Sequence, residues 1–335
     1  MRMTDCLTPD KVTRLKELLG GARKVTIAAH THPDGDAVGS VTALALYLSK
    51  FYGLDVTVCL PETMPESILF ARGQGVRYIY GRVPGDEDLL FLMDCNAFKR
   101  TESLQEGLEA SSAPKVLIDH HLNPDEDSFD LVFSTPEISS ASELLFWLLK
   151  AMGWDVTDTQ IGAALLTGMT TDTNNFANSV YPSTLAMASE LIDAGVDRDA
   201  ILQKLYSSYR ENRVRLFGYM QYHALTILPE GAAYMILTKE IQERFNMTEG
   251  ESEGLVNIPL AIKNVRVSLL LKEDGDYYRV SLRSKKGTSA QNCAVRFFNG
   301  GGHENAAGGR LFPQKDLGGE SVESYIKNAL LEALK

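Results

Sequence analysis

The stretch Val25–Ser40, which reads VTIAAHTHPDGDAVGS, decides the fold. Its first five residues form a short, largely apolar run bounded by turn-forming residues, which predicts a buried β-strand. A loop rich in His, Pro, Asp and Gly follows, and residues 37–48 then carry small and apolar side chains at helical spacing. A buried strand that leads through a polar loop into a helix is the repeating unit of parallel α/β sheets.

The same alternation continues along the first 195 residues. Short apolar runs predict strands at 56–60, 89–93 and 116–118, and amphipathic segments predict helices at 11–20, 142–152, 160–169 and 183–194. Continuous apolar strands that alternate with helices predict a doubly wound parallel sheet, that is, an α/β fold.

The pattern changes after residue 195. Residues 199–222 predict one long helix, and closely spaced strands follow at 233–237, 265–271 and 277–282, the last two joined by an Asp274-Gly275 hairpin turn. We therefore expect three parts: a first domain over 1–195, a helical linker over 196–224 and a smaller second domain over 225–335.

Composition narrows the classes of function. The 335 residues are 44% hydrophobic and carry a formal net charge of −11, which argues against a protein that grips long duplex nucleic acid. The four cysteines form no C-x-x-C pair, which favours a reducing compartment. The N-terminus lacks an apolar leader and no apolar run reaches about 20 residues, so we expect a cytoplasmic protein with no membrane contact.

Metal-ligand residue types follow the predicted strands at the ends where they leave the sheet. The carboxyl ends of parallel strands meet at one crevice, where several carboxylates would repel one another unless divalent cations neutralise them. Mixed Asp and His donors suit Mn²⁺, Fe²⁺, Co²⁺ or Zn²⁺, and paired ions hydrolyse phosphate esters. Any one of these residues alone is more simply a cap or a turn, but together they predict a metal site. The residues are His30, Asp34, Asp36, Asp94, Asp119, His120, His121 and Asp172.

These motifs resemble those of the DHH phosphoesterase superfamily. The segment Gly300–Gly308, which reads GGGHENAAG, resembles the signature of the DHHA1 domain. The most similar subgroup comprises short oligoribonucleases (nanoRNases) that also act as pAp phosphatases. The resemblance implies a DHH domain joined by the linker to a smaller α/β DHHA1 domain, with the active site in the cleft between them.

The resemblance also implies roles for the site residues. One divalent ion would be held by His30 and Asp34, the other by Asp36, His120 and Asp172, and Asp94 would bridge them. Both ions are expected to be Mn²⁺. The catalytic residues would be Asp94, His121, which would donate to the substrate phosphate or relay a proton, and Asp119, which would orient an imidazole.

The C-terminal residues are expected to bind substrate. The resemblance assigns this role to Arg283, Ser284, Gly300, Gly301, Gly302 and His303. Glycine backbone can approach an anion closely, and a guanidinium fits phosphate in bidentate fashion. Residues 279–310 contain six basic residues and one acidic residue, a local charge of +5, and Ala306-Ala307-Gly308 predicts the start of a helix.

The expected reaction is phosphodiester or phosphomonoester hydrolysis by a hydroxide that two metal ions activate. Expected substrates are oligoribonucleotides of two to five residues, linear dinucleotides and pAp, and the family resemblance leaves a homodimer open. Two alternatives remain: a cyclic-dinucleotide phosphodiesterase, and a non-catalytic nucleotide sensor on the same fold.

Overall fold

The computed structural model describes the backbone of residues 3–335 and the side chains from residue 5 onward. The chain divides into two compact units, the first ending at Ser208 and the second comprising Tyr209–Lys335. The described helices include no segment that is both long and apolar enough to cross a bilayer.

The first unit alternates strands and helices, as the apolar runs predict. Its strands are β1 (Lys24–Ala28), β2 (Asp55–Leu60), β3 (Arg77–Tyr80), β4 (Leu89–Met93), β5 (Lys115–Asp119) and β6 (Leu131–Ser134). Its helices are α1 (Met3–Cys6), α2 (Pro9–Gly21), α3 (Gly35–Tyr52), α4 (Gln105–Ala110), α5 (Ala141–Ala151), α6 (Thr159–Asp172), α7 (Pro182–Asp193) and α8 (Arg198–Tyr206).

All six strands of the first sheet run parallel, in the order β3-β2-β1-β4-β5-β6. This order confirms the predicted doubly wound sheet. The chain reverses its winding direction between β1 and β4, and in such sheets ligands bind outside the carboxyl ends of the strands at that switch point. All five residues of β4 are buried, so the centre of the sheet is covered on both faces.

Two glycines let α3 and α6 pack unusually close together. A Cβ on Gly39 would lie 2.5 Å from the carbonyl oxygen of Ala164 and 2.9 Å from the backbone nitrogen of Gly168. A Cβ on Gly35 would likewise collide with the side chain of Thr171. The first turn of α3 therefore lies against the last turn of α6, which brings the acidic residues of both helix ends into one place.

The second unit is built on a mixed six-stranded sheet in the order β11-β12-β10-β9-β8-β7. Its strands are β7 (Leu225–Leu228), β8 (Ala232–Leu237), β9 (Val267–Asp274), β10 (Tyr277–Ser284), β11 (Gly301–His303) and β12 (Ala306–Leu311). Its helices are α9 (Glu211–Tyr219), α10 (Lys239–Arg244), α11 (Ala290–Phe297), α12 (Pro313–Asp316) and α13 (Val322–Ala333). Only β8 and β9 run parallel, and β9 and β10 form the predicted hairpin.

Two local predictions were wrong. The long helix expected over 199–222 is two helices, because α8 ends at Tyr206 and α9 starts at Glu211. The expected helix start at Ala306-Ala307-Gly308 is instead part of β12, whose residues pair with both β10 and β11. β11 and β12 approach closely, so this part of the sheet requires small residues. Small residues are equally compatible with a tightly packed helix start, which is why the sequence was misread.

Candidate metal centre

Side chains from five elements, or from the loops directly after them, meet at the switch point of the first sheet. His30 lies just beyond β1, Asp94 just beyond β4, and His120 just beyond β5. Asp36 lies in the first turn of α3, and Asp172 is the last residue of α6. The structure thus brings together residues that are far apart in the sequence.

Three groups of possible ligands share Asp94, and two of them consist entirely of residues predicted to hold a metal ion. His30, Asp34 and Asp94 each offer one ligand atom within 4.8 Å of the others, and so do Asp36, Asp94 and His120. Asp94 faces both groups, since its Oδ2 lies 3.4 Å from Nε2 of His30 and its Oδ1 lies 3.3 Å from Nε2 of His120.

Asp172 adjoins the second group. Its Oδ2 lies 3.5 Å from Nε2 of His120, and Oδ2 of Asp36 lies 3.9 Å from the same nitrogen. The imidazole of His120 therefore faces three carboxylates, those of Asp36, Asp94 and Asp172.

The donor set fits divalent cations. Oδ1 of Asp94 is buried, and no described residue donates a well-aligned hydrogen bond to it, although buried carboxylate oxygens normally have a partner. Asp94 also has a left-handed backbone, with φ of 51°, a strained conformation that concentrates at functional sites. A bridging carboxylate with an unsatisfied oxygen, flanked by imidazole nitrogens, is a suitable ligand for two ions.

The electrostatics of the cluster show the same need for positive charge. Burial and the nearby charges of Asp94 and Asp172 raise the pKa of Asp36 well above its ordinary value. Burial would lower the pKa of His120, but the carboxylates of Asp172, Asp94 and Asp36 outweigh it and raise that pKa well above the ordinary value. The carboxylates thus repel one another and attract cations.

Hydrogen bonds prepare the first group for metal binding. Oδ1 of Asp34 caps α3 by accepting the N–H groups of Asp36 and Ala37 at 3.0 and 3.1 Å. Nδ1 of His30 lies 2.7 Å from the carbonyl oxygen of Thr31. Because a carbonyl only accepts, Nδ1 carries the proton and Nε2 presents its lone pair to the cluster.

Asp119 contacts His121 through two hydrogen bonds, and its expected role in orienting an imidazole stays a prediction. Oδ1 of Asp119 lies 2.7 Å from Nδ1 of His121, and Oδ2 accepts the backbone N–H of His121 at 3.1 Å. Asp119 is fully buried, whereas the His121 side chain keeps 13% exposure. Asp119 thus holds the imidazole of His121 through Nδ1 and through the backbone N–H.

Two neighbouring residues that are expected to bind substrate, Ser284 and Arg283, lie on opposite faces of β10 in the second unit. The hydroxyl of Ser284 is buried, donates to the carbonyl of Thr288 at 2.6 Å and accepts from Asn305 at 2.9 Å. In this structure the hydroxyl thus stabilises the turn, and its expected contact with substrate stays a prediction. Arg283 lies on the opposite face of β10, where its Nη1 donates to the carbonyl of Leu282 at 2.9 Å.

Strand packing explains two of the three glycines. A Cβ on Gly300 would overlap the carbonyl oxygen of Gly308, and one on Gly302 would lie 2.6 Å from that of Ala306. A Cβ on Gly301 would meet nothing within 4 Å. Gly301 and His303 lie in β11, at the edge of the sheet.

The basic segment is less positive than its own residues suggest. Arg279 pairs with Asp274 at 2.5 Å and with Glu249 at 2.8 Å, and Arg296 lies 3.8 Å from Glu332. These three carboxylates lie outside residues 279–310 and partly offset the segment's formal charge of +5.

Sequence reasoning missed the residues that support Asp36. The N–H groups of Ala141 and Ser142, at the start of α5, donate to Oδ2 and Oδ1 of Asp36 at 2.6 and 3.0 Å. Glu143, one residue further on, is completely buried. A capping-box pattern, Ser140-x-x-Glu143, is visible in the sequence and was the available signal.

A doubly wound sheet with acidic and imidazole side chains clustered at its switch point is typical of phosphoric ester hydrolases. Residues 24–200 match the DHH family, N-terminal domain, and residues 232–327 match the DHHA1 domain. The chain belongs to the DHH family.

Curated relatives and a solved structure extend over most of the chain. It is 29% identical to the Bacillus subtilis bifunctional oligoribonuclease and PAP phosphatase NrnA, covering 86% of this chain and 90% of that one. It is also 29% identical to a probable enzyme of the same name from Streptococcus mutans, covering 91% and 95%. An exopolyphosphatase-related protein from Bacteroides fragilis superposes with a TM-score of 0.87 at 35% identity, covering 98% and 96%.

Proposed function

We propose that this protein hydrolyses very short oligoribonucleotides, linear dinucleotides and pAp with the help of two divalent metal ions. The names of its relatives from Bacillus subtilis and Streptococcus mutans support the oligoribonuclease and PAP phosphatase activities. The observation that carries the proposal is the pair of ligand groups that share Asp94. Two metal sites with a common carboxylate match the requirements of phosphate-ester hydrolysis.

In this proposal His30 and Asp34 hold one ion, Asp36, His120 and Asp172 hold the other, and Asp94 contacts both. When bound, the two cations, which we propose to be Mn²⁺, would make water more acidic and the phosphorus more electrophilic. The donor chemistry supports this assignment. Mixed carboxylate and imidazole ligands suit Mn²⁺ better than they suit Ca²⁺, which prefers oxygen ligands alone.

The chain's own residues supply proton transfer and orientation. Oδ1 of Asp119 lies 2.7 Å from Nδ1 of His121 and keeps the proton on that nitrogen. Nε2 of His121 would then exchange a proton with a substrate oxygen. The N-terminus of α5 holds Asp36 through two backbone N–H groups, which keeps the carboxylate in one orientation. These contacts prepare the site before substrate arrives, and preorganisation is where much of catalytic power arises.

We propose that the second unit binds the nucleotide through Arg283, the glycine-rich edge strand and His303. A net charge of −11 and partial neutralisation of the basic segment favour a short, phosphate-bearing ligand over a long strand. The first unit would then cleave and the second would select substrate by size.

The test is a hydrolysis panel on the metal-free protein supplemented with Mn²⁺. Substrates are pAp, a linear dinucleotide, a five-residue RNA, cyclic di-AMP and inorganic polyphosphate. We expect turnover of the first three, loss of turnover in Asp94→Asn, and normal turnover in Asp127→Asn, which removes the same charge from an exposed position.

The outcomes separate the alternatives. Preference for cyclic di-AMP would favour a cyclic-dinucleotide phosphodiesterase. Binding of nucleotides without turnover of any substrate would favour a sensor. Full activity of Asp94→Asn would contradict the proposed centre itself.

A further inference from the structure

Glu143 is a buried carboxylate that lies behind the proposed metal centre. It is fully buried at the third position of α5. Oε2 accepts three hydrogen bonds, from the backbone N–H of Ser139 at 3.1 Å, from the Ser139 hydroxyl, and from the Thr184 hydroxyl at 2.7 Å. Its other oxygen, Oε1, is buried, and no described residue donates to it.

Burial of a carboxylate with one unsatisfied oxygen is unfavourable for stability. Apolar residues of similar volume usually pack at least as well in such positions. Its contacts suggest what the buried acceptor achieves: the three hydrogen bonds fix Ser139, which immediately precedes the N-cap residue of α5, and join α5 to Thr184 in α7.

The segment that Glu143 fixes is the one that holds Asp36. Ser140 caps α5 by accepting the N–H of Glu143 at 3.0 Å. The next two N–H groups, those of Ala141 and Ser142, each donate to a different oxygen of Asp36. Two bonds to two oxygens fix the plane of the carboxylate, so a shift of residues 139–142 would turn Asp36 relative to Asp94 and His120.

We propose that Glu143 is a positioning residue for the metal centre. It holds the N-terminus of α5 in place, and that N-terminus holds Asp36 in the orientation that binds a metal ion. The role rests on the proposed metal centre, and it extends the support of that centre beyond the residues that would touch an ion.

Replacement by Gln separates hydrogen bonding from charge. The carbonyl oxygen of Glu143→Gln can take the place of Oε2 and accept the same three donors, while its amide group takes the place of Oε1. Glu143→Ala removes the acceptor altogether. Leu149→Ala is the matched control, because it creates a cavity at a fully buried position of the same helix, away from its N-terminus.

The experiment measures Mn²⁺ binding to the metal-free proteins by titration calorimetry, together with hydrogen–deuterium exchange of residues 139–143. We expect the dissociation constant to rise about tenfold or more in Glu143→Ala, with faster amide exchange in that segment. Glu143→Gln should bind Mn²⁺ with an affinity close to that of the wild type. Leu149→Ala should unfold at a lower temperature and still bind like the wild type.

Three results would overturn the inference. The first is an unchanged Mn²⁺ affinity in Glu143→Ala. The second is an equal loss of Mn²⁺ affinity in Glu143→Gln, which would mean that charge and not hydrogen bonding matters. The third is an equal loss of Mn²⁺ affinity in Leu149→Ala, which would mean general destabilisation. If the wild type itself binds no Mn²⁺, the proposed centre fails instead. The exchange measurement still decides whether Glu143 holds the start of α5.

Discussion

Oδ1 of Asp119 and Nδ1 of His121 lie 2.7 Å apart, and the same carboxylate also accepts the backbone N–H of His121. The two contacts fix the ring against its own backbone, at the carboxyl end of β5. Because both oxygens of a carboxylate accept hydrogen bonds, Nδ1 carries the proton of this contact, and we propose Nε2 as the nitrogen that exchanges a proton with substrate.

Asp119→Asn should therefore reduce kcat strongly. The amide can present its oxygen to only one of the two donors of His121, so the ring loses its fixed orientation. We expect a fall of about 10²-fold or more in kcat, which is the range for loss of a general acid or base. Mn²⁺ affinity should be nearly unchanged. The measurement is steady-state kinetics on pAp. The double variant Asp119→Asn/His121→Ala should have a kcat no lower than that of His121→Ala alone. Additive losses of kcat would contradict a shared role.

The crossing of α3 and α6 should be intolerant of a single methyl group. A Cβ on Gly39 would press against backbone of α6, and one on Gly168 would overlap the Ser142 hydroxyl and lie 2.7 Å from Oδ1 of Asp36. We expect each Gly→Ala change to destabilise the protein by about 1–3 kcal/mol, and Gly168→Ala also to weaken Mn²⁺ binding.

Gly20→Ala is the control for these changes. A Cβ there meets nothing within 4 Å, in the last turn of α2, so we expect a neutral or slightly stabilising effect of up to about 1 kcal/mol. Urea unfolding curves of the three variants check the prediction. Equal stability of Gly39→Ala and Gly20→Ala would show that the helices can separate freely.

The ion pairs of Arg279 should make the second unit less stable in acid. Burial would raise the pKa of Asp274, but Arg279 outweighs it and lowers that pKa; for Glu249, Lys272 and Arg279 together outweigh burial and lower its pKa. A carboxylate whose pKa is lowered by folding stabilises the protein above its unfolded pKa of about 4, and this contribution is lost as the pH falls.

Arg279→Gln should therefore destabilise β9 and β10 at pH 7 and have little effect at pH 3. We expect about 0.5 kcal/mol at pH 7, since the side chains are partly exposed and solvent screens their charges. Hydrogen exchange of the two strands at both pH values provides the measurement. An effect of the same size at pH 3 would point to lost packing of the arginine stem.

The sequence was most informative where one local rule sufficed. An apolar strand followed directly by Asp or His predicts a side chain at the carboxyl edge of a parallel sheet, and His30, Asp94 and His120 lie there. Their proximity followed from topology alone. The identity of these residues as metal ligands stays a prediction.

Relationships across long stretches of chain could not be predicted. Asp36 takes its hydrogen bonds from residues more than 100 positions away. Arg279 likewise forms an ion pair with Glu249, 30 positions earlier in the sequence. Pairing of this kind depends on how elements pack in three dimensions, and no pattern in the neighbouring residues encodes it.

Arg283 should control substrate affinity and not chemistry. It lies on β10 opposite Ser268 and Ala306, and its side chain is only partly buried. A guanidinium that binds phosphate in bidentate fashion contributes about 1.5–3 kcal/mol, so Arg283→Met should raise KM for pAp roughly 10- to 100-fold while Mn²⁺ affinity stays unchanged. The KM of Arg283→Lys should fall between those of the wild type and Arg283→Met, because lysine keeps the charge and loses the planar fork.

Arg296→Met is the control, since that arginine is exposed and lies near Glu332. Steady-state kinetics at two salt concentrations would check the prediction, and equal KM values for the Arg283 and Arg296 variants would rule out a phosphate contact by Arg283.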